Sequence, residues 1–336
     1  MKRALFQEPG ENGTVRCGLC SHRCVIAPGG RGICAVRENR DGVLVSLVYD
    51  KVIAQNVDPI EKKPLFHFLP GSMSFSIATP GCNFHCKHCQ NADISQLPRD
   101  RGGAVPGQPA SPDQIVAAAR QMRCASISYT YTEPTIYFEL AYDTARLAAE
   151  KGLKNVFVTN GYITPEALRE IQPWLHAANI DLKGFTDDFY RSICGARLQP
   201  VLDAIRLYHE LGIWIEITTL VIPGHNDSDD ELGRIAAFIR GLGADVPWHV
   251  TRFHPTYKLT DRPRTPIDTL KRAREIGHAA GLRYVYEGNI PGEGEETICW
   301  SCRASLVKRF GFSVEENNIR DGACGACGAK IAGVWE

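Results

Sequence analysis

The chain has no net charge and no long apolar run, and each absence narrows its possible roles. Its 38 Lys and Arg residues balance 38 Asp and Glu. That argues against a broad basic surface for nucleic acid, while leaving room for a local patch. No stretch approaches the ~20 consecutive apolar residues that a membrane span needs. The first ten residues, Met1 to Gly10, hold two basic side chains with no apolar core behind them, so they do not read as a signal peptide. The expectation is a cytoplasmic protein with no membrane partner and no nucleic-acid partner. No internal repeat is visible beyond an alternation of strands and helices.

Cysteine, by contrast, is plentiful. A chain of 336 residues, 44% apolar and 23% charged, suits one large α/β domain with small appendages. Thirteen cysteines in a reducing compartment need work other than disulfides. Eleven fall into three groups: Cys17, Cys20, Cys24 and Cys34; then Cys82, Cys86 and Cys89; then Cys299, Cys302, Cys324 and Cys327. Cys124 and Cys194 stand alone and read as small buried hydrophobes.

The middle group is the most informative. Cys82-x3-Cys86-x2-Cys89 lies in the loop Gly81 to Asn91, directly after the strand-like run Ser74 to Thr79. Three thiolates are one short of the four that normally hold an iron–sulfur cubane. A cluster held by three protein ligands keeps one iron open to a chelating small molecule. The same logic separates catalytic from structural zinc sites. The competing reading is a metal-binding loop of another kind, such as half of a zinc site.

The outer groups read as closed sites. Cys299-x2-Cys302 and Cys324-x2-Cys327, 21 residues apart, form a pair of zinc-ribbon knuckles, with Gly325 and Gly328 supplying tight turns. Zinc is favoured there over a second iron–sulfur cluster. A segment of this size lacks the core to fold unaided, so metal would supply stability. Cys17-x2-Cys20-x3-Cys24-x9-Cys34, with His22 inside it, offers four ligands within 18 residues. Zinc and iron–sulfur both fit that spacing.

Strand-like runs are expected over 73–79, 126–131, 155–160, 179–182, 213–220 and 248–253, with a weaker seventh over 282–286. Helix starts lie between them. Ser111-Pro112-Asp113-Gln114 and Thr164-Pro165-Glu166 each place a hydroxyl cap before Pro and an acid. Ser228 with Glu231 reads as a capping box for a helix over 232–239. Repeated strand–helix units imply a parallel sheet with right-handed crossovers. Six units are too few for a closed eight-fold barrel and predict an open, partial (β/α)6 barrel. Three parts follow: an N-terminal cysteine-cluster segment over 1–70, a core over 71–291, and a C-terminal zinc-ribbon-like segment over 292–336. The Gly- and Pro-rich stretch 100–112 reads as a mobile surface loop.

In such a sheet, ligands sit at the carboxyl ends of the strands. Four expected ends carry polar residues: Glu133, in Thr130-Tyr131-Thr132-Glu133-Pro134; Thr159 and Asn160, before Gly161; Asp181 and Lys183; and Thr218 and Thr219, before Val221-Ile222-Pro223-Gly224. Asp181 and Lys183 are two apart and share a face. Opposite charges on a nearly buried strand are costly unless they bond a ligand or each other. The plainer readings are an acid capping a helix for Glu133, a β-to-α turn for Thr159-Asn160-Gly161, and a structural ion pair for Asp181 and Lys183. Arg252 or His254, near the end of a later strand, is a candidate substrate contact.

The cysteine loop, with its Cys-Asn-Phe-x-Cys-Lys-x-Cys-Gln-Asn text after a first β strand, resembles the radical S-adenosylmethionine (SAM) enzymes. It resembles in particular the group related to pyruvate formate-lyase activating enzyme, and more closely the AmmeMemoRadiSam-system radical SAM enzyme. The resemblance runs from Cys17 to Trp335. It implies a [4Fe–4S] cluster on Cys82, Cys86 and Cys89, with SAM on the open iron. It implies SAM contacts from Glu133 and from Asp181 and Lys183, with Val221 and Ile222 packing on the adenine, while Thr159 and Asn160, polar groups before Gly161 at a strand end, are candidate contacts on their own pattern. This chain lacks the Gly-Gly-Glu-Pro turn common in that superfamily and has Tyr131-Thr132-Glu133-Pro134 instead. A one-electron reductant of flavodoxin or ferredoxin type is implied. So is an unidentified small-molecule or protein substrate that loses hydrogen to a 5′-deoxyadenosyl radical. An activase that installs a glycyl radical on a partner enzyme is the alternative, and a non-enzymatic iron–sulfur or zinc scaffold is a third.

Overall fold

The computed structural model describes residues 1–290, 292 and 294–336. The core is an eight-stranded sheet built from Ala54–Pro59 (β1), Met73–Ala78 (β2), Ser126–Tyr129 (β3), Lys154–Thr159 (β4), Ala177–Asp181 (β5), Trp214–Val221 (β6), Trp248–Arg252 (β7) and Val285–Gly288 (β8). The order across the sheet is β8-β7-β6-β5-β4-β3-β2-β1. Strands β2 to β8 run parallel, β1 pairs antiparallel with β2, and the two outer strands do not meet. The sheet is therefore open, as the count of units implied.

Six helices make the crossovers: Pro112–Gln121 (α1), Phe138–Glu150 (α2), Pro165–Ile171 (α3), Leu198–Glu210 (α4), Asp229–Leu242 (α5) and Ile267–Ala279 (α6). Their caps follow from sequence. Ser111 and Gln114 form a reciprocal capping box at α1, and the Thr164 hydroxyl caps α3. At α5 only half the expected box forms. Ser228 Oγ accepts from Glu231 N at 3.2 Å, but the Glu231 carboxylate turns away to accept from Phe185 N at 2.6 Å. Two further differences concern the sheet. The weak seventh run is a full member, displaced to Val285–Gly288 and paired with β7 over four residues. Strand β1 comes from the first 70 residues and covers the free edge of β2. Part of the stretch 100–112 is also tied down, with Gln108–Pro109 pairing with Lys51–Val52.

The N-terminal cysteines sit on small antiparallel strands. Val15–Cys17 pairs with both Gln7–Pro9 and Val25–Ile26, and Cys17 N donates to Cys24 O at 2.8 Å. The C-terminal cysteines flank a hairpin of Ser305–Phe310 (β9) and Ser313–Asn317 (β10). The boundary expected at residue 291 lies outside the described residues. Among the described residues, no helix is long and apolar enough to cross a membrane.

A buried polar belt fastens these parts at the end of the sheet away from the cysteine loop. Glu216 accepts from Phe66 N at 3.0 Å and His67 N at 2.8 Å, and bonds His249 Nε2 at 2.7 Å. His67 Nδ1 meets Ala332 O at 2.8 Å, so it carries the proton, and Nε2 accepts from the Tyr286 hydroxyl at 2.6 Å. Arg309 Nη2 donates to Phe66 O at 2.7 Å and Nη1 to Thr297 Oγ1 at 2.8 Å. Segment 60–69, the core and the C-terminal hairpin are thus joined by one network.

Burial pushes His67 down from 6.5 to about 4. A base depressed in the folded state stabilises fully above its unfolded value, and that stability is lost as the pH falls through the folded value. The gap between 6.5 and about 4 bounds the loss at ~3 kcal/mol. Thermal denaturation should therefore show the melting temperature falling between pH 6.5 and 4. His67→Gln should be less stable at pH 7 and should flatten that pH dependence. An unchanged slope in the variant would remove His67 from this role.

Candidate active site

The cysteine loop leaves β2 through Gly81, whose φ is +105°. A side chain there would be strained, and its Cβ would lie 2.8 Å from Val36 Cγ1 and 3.2 Å from Cys34 O. The loop has little regular structure and is pinned by its neighbours. His85 N donates to Cys194 O at 2.8 Å and Lys87 N to Ile193 O at 3.0 Å. Those carbonyls belong to a π-helical turn, Tyr190–Cys194, of a kind often found at functional sites. Asn83 Oδ1 accepts from Asn160 Nδ2 at 2.7 Å, and Asn83 O meets His22 Nε2 at 2.8 Å.

Cys82, Cys86 and Cys89 line one cavity of about 510 Å³ at the carboxyl ends of the strands. Glu133, Thr159, Asn160, Asp181 and Lys183 line the same cavity. Eight of the residues singled out from sequence therefore meet in one mouth. Val221 and Ile222 do not. Both are fully buried, and neither lines the cavity. Thr218 and Leu220 face the mouth, so strand alternation turns Val221 toward the helical layer, and Ile222 lies past the strand end with its amide donating to Asn226 Oδ1 at 2.6 Å. Arg252 and His254 also lie off the mouth. Arg252 Nε is engaged by Thr265 O at 2.7 Å, and it is Thr251 that faces inward.

Glu133 is almost fully buried. Its Oε1 accepts from Thr135 N at 3.0 Å, Thr135 Oγ1 at 2.6 Å and Thr159 Oγ1 at 2.7 Å, and its Oε2 accepts from Asn160 N at 2.8 Å. It does cap the following turn, as the plainer reading held. Three of these donors crowd Oε1, whereas Oε2 uses one of its two lone pairs and keeps the other. Burial pushes its carboxyl up. Asp181 and Lys183 form an ion pair at 2.8 Å. Burial works against the Lys183 ammonium, but Asp181 and then Cys86 outweigh it and hold it firmly protonated.

The turn that lacks the usual glycines is strained. Tyr131 has φ +61°, a left-handed conformation rare for an aromatic residue. Asn91 Nδ2 holds its carbonyl at 2.8 Å, and its hydroxyl bonds Asp58. Sequence reasoning missed this link, and it missed the residues that border the mouth from outside the core. Lys62 and Lys63 reach it from the N-terminal segment, and Phe312 from the β9–β10 turn. No local pattern marks them. Cys194, read as a solitary hydrophobe, is fully buried but lies with Cys86 and His88, the three ligand atoms being within 4.8 Å of one another. The Cys86-x-His88 spacing was visible, whereas the remoteness of Cys194 gave no signal.

The donor sets differ in a way that bears on what they can hold. The sulfurs of Cys299, Cys302, Cys324 and Cys327 all lie within 4.8 Å of one another, with Cys299–Cys327 at 3.8 Å and Cys302–Cys324 at 3.7 Å. Four thiolates so close suit a single metal ion. Cys82, Cys86 and Cys89 do not gather into such a set. Wider spacing suits a cluster, where each thiolate binds a different iron. Around them, Asn83 Nδ2 and both ring nitrogens of His88 are buried without a partner. Burial pushes the Cys82 thiol up, with Glu133 adding to it, and pushes His88 down to about 3, so its imidazole is neutral.

Comparison with known proteins agrees with this geometry. A family model described as the Radical SAM superfamily matches residues 76–236. An uncharacterized protein of Methanocaldococcus jannaschii, MJ0808, is 48% identical over 98% of this chain and 99% of its own. Pyruvate formate-lyase 1-activating enzyme of Escherichia coli K12 is 21% identical, over 61% of this chain and 89% of its own. The crystal structure of a radical SAM methyltransferase from Sphaerobacter thermophilus aligns with a TM-score of 0.51 and 18% identity, covering 66% of this chain and 68% of that one. That likeness is one of fold.

Gly81→Ala should be costly, because the new methyl meets Val36 and the Cys34 carbonyl at a left-handed φ. A loss of ~2 kcal/mol in chemical denaturation is expected. Stability equal to wild type would show that the loop is not pinned there.

Proposed function

The chain belongs to the radical SAM superfamily, and from that premise we propose that it uses SAM and a [4Fe–4S] cluster on Cys82, Cys86 and Cys89 to start radical chemistry on a substrate bound in the same mouth. The observation that carries this reading is the meeting of three widely set thiols with Glu133, Asn160, Asp181 and Lys183 in one cavity. Its volume of about 510 Å³ is in the range of small-molecule sites. Bound there, the cluster and SAM would supply one-electron cleavage to a 5′-deoxyadenosyl radical capable of abstracting hydrogen from substrate.

The chain's own residues position and shield. Free acceptor capacity on Glu133 Oε2, with the neighbouring turn carbonyls, suits the ammonium end of SAM. Lys183, held protonated by Asp181, suits its carboxylate, and Asp181 suits ribose hydroxyls. Thr218, Leu220 and Thr251, also facing the mouth, are candidates for the adenine side in place of Val221 and Ile222. Phe312 borders the mouth from the C-terminal hairpin. A cavity of about 510 Å³ favours a small substrate over a protein loop. An activating enzyme for a glycyl-radical partner remains the second reading, because a relative carries that kind of name.

For Cys299, Cys302, Cys324 and Cys327 we favour zinc. Tetrahedral zinc with Zn–S bonds of about 2.3 Å requires sulfurs about 3.8 Å apart. The observed 3.7 and 3.8 Å support that assignment. A cytoplasmic setting and a flavodoxin- or ferredoxin-type electron donor complete the proposal.

Anaerobic protein reconstituted with iron and sulfide, then supplied with reductant and SAM, should release 5′-deoxyadenosine. Cys86→Ala should lower that release at least ~1,000-fold and lose cluster iron, while zinc per chain stays constant. Cleavage at the wild-type rate in the variant would refute the assignment. Adding candidate glycyl-radical partners separates the two catalytic readings, since only an activase would leave a radical on them.

A further inference from the structure

The N-terminal cysteines form a second centre with different geometry from the C-terminal one. No three of Cys17, Cys20, Cys24 and Cys34 gather within 4.8 Å, in contrast to the C-terminal four. In this they resemble the site loop. Their backbones are nevertheless held together, Cys17 N donating to Cys24 O at 2.8 Å and Arg23 N to Cys20 O at 2.9 Å. Cys17 and Cys34 are buried, and Cys20 and Cys24 are half-buried.

An independent observation points to an occupant. Arg37 is only 2% exposed. Its Nη1 bonds Glu139 at 2.9 Å and its Nη2 bonds Leu5 O at 2.7 Å, but its Nε has no partner. The guanidinium lies within electrostatic reach of Cys17 and Cys34. A buried donor without an acceptor is costly. Arg37, buried beside Cys17 and Cys34, would offset the negative charge of an anionic centre held by these cysteines.

The position matters as much as the ligands. Cys34 O lies against Gly81, the residue before Cys82, and His22 bonds the backbone of Asn83, the residue after it. Arg99 donates to both Ile33 O and Cys82 O. The two cysteine loops are thus packed together and bridged by the His22 and Arg99 side chains.

We propose that Cys17, Cys20, Cys24 and Cys34 hold a second iron–sulfur cluster, fully ligated by protein, that passes single electrons to the Cys82–Cys89 site. A low-potential donor protein gives up one electron to this cluster. The cluster passes it inward, and no atom or proton is transferred in the step. The presence of the cluster stands on its own observations; the direction of flow rests on the function proposed above.

Iron, sulfide, zinc and electron paramagnetic resonance spectra, measured on reconstituted anaerobic protein, test this. Wild type should hold about eight irons per chain, as two [4Fe–4S] clusters. With Cys82, Cys86 and Cys89 all replaced by Ala, about four irons should remain, with a reduced-state signal that SAM does not perturb. Cys20→Ala/Cys24→Ala should lose those irons and keep the SAM-sensitive signal. It should turn over at least tenfold more slowly with a protein donor than with dithionite. An iron-free triple variant, or a second zinc in place of iron, would overturn the inference. About four irons in wild type with a SAM-sensitive signal would overturn this inference and leave the proposed function standing. About four irons with a SAM-insensitive signal would overturn the function.

Discussion

Three thiols reach one mouth because a short irregular loop is clamped on every side. Residues 82–89 make few hydrogen bonds among themselves. Their positions come from the Cys34 carbonyl and Val36 behind Gly81, from the carbonyls of Ile193 and Cys194, and from the bond between Asn83 and Asn160. Each of these contacts is worth only ~1 kcal/mol. Together they fix where three sulfurs stand. A centre with one open ligand position depends on that fixity, because a mobile loop could close the vacancy with a fourth side chain.

The parallel sheet does the rest. Each strand ends at the same level, so Glu133, Asn160, Asp181 and Lys183 arrive from three different βα junctions at a single cavity. Charges in such a place are expensive unless matched. Here each is matched in part: Glu133 by four donors, and Lys183 by Asp181. The remainder, on Glu133 Oε2 and around Lys183, faces the cavity, where a zwitterionic ligand has complementary charges to offer. At the opposite end, Glu216, His249, His67 and Tyr286 are bonded to one another and to neighbouring backbone. That end is fastening, and the two ends divide stability from chemistry along one sheet.

The sequence displayed what is local. The cysteine spacings, the helix caps at Ser111 and Thr164, and the polar residues at strand ends can all be read along the chain, because each depends on neighbours a few positions away. It displayed poorly what depends on orientation. Val221 is in a plausible position by spacing, but a one-residue difference on a strand reverses the face, and Ile222 lies past the end of β6, where its amide donates to Asn226. Glu231 fits a capping box by pattern, and a competing amide at Phe185 takes its carboxylate. It did not display what is brought together from far away. Cys194 beside Cys86, the Tyr131–Asp58 link and Phe312 at the mouth join residues separated by long stretches of chain. The open sheet was legible from counting units. The antiparallel strand β1 was not, because its sequence, Ala54-Gln55-Asn56-Val57-Asp58-Pro59, has almost no apolar pattern.

The most direct measurement of the central claim is hyperfine spectroscopy on the reduced, iron-loaded protein mixed with SAM labelled at its amino nitrogen and carboxylate oxygen. The account predicts coupling of both labels to the cluster, because the iron without a cysteine ligand takes them up. A fully loaded cluster that shows no coupling to either label would contradict it.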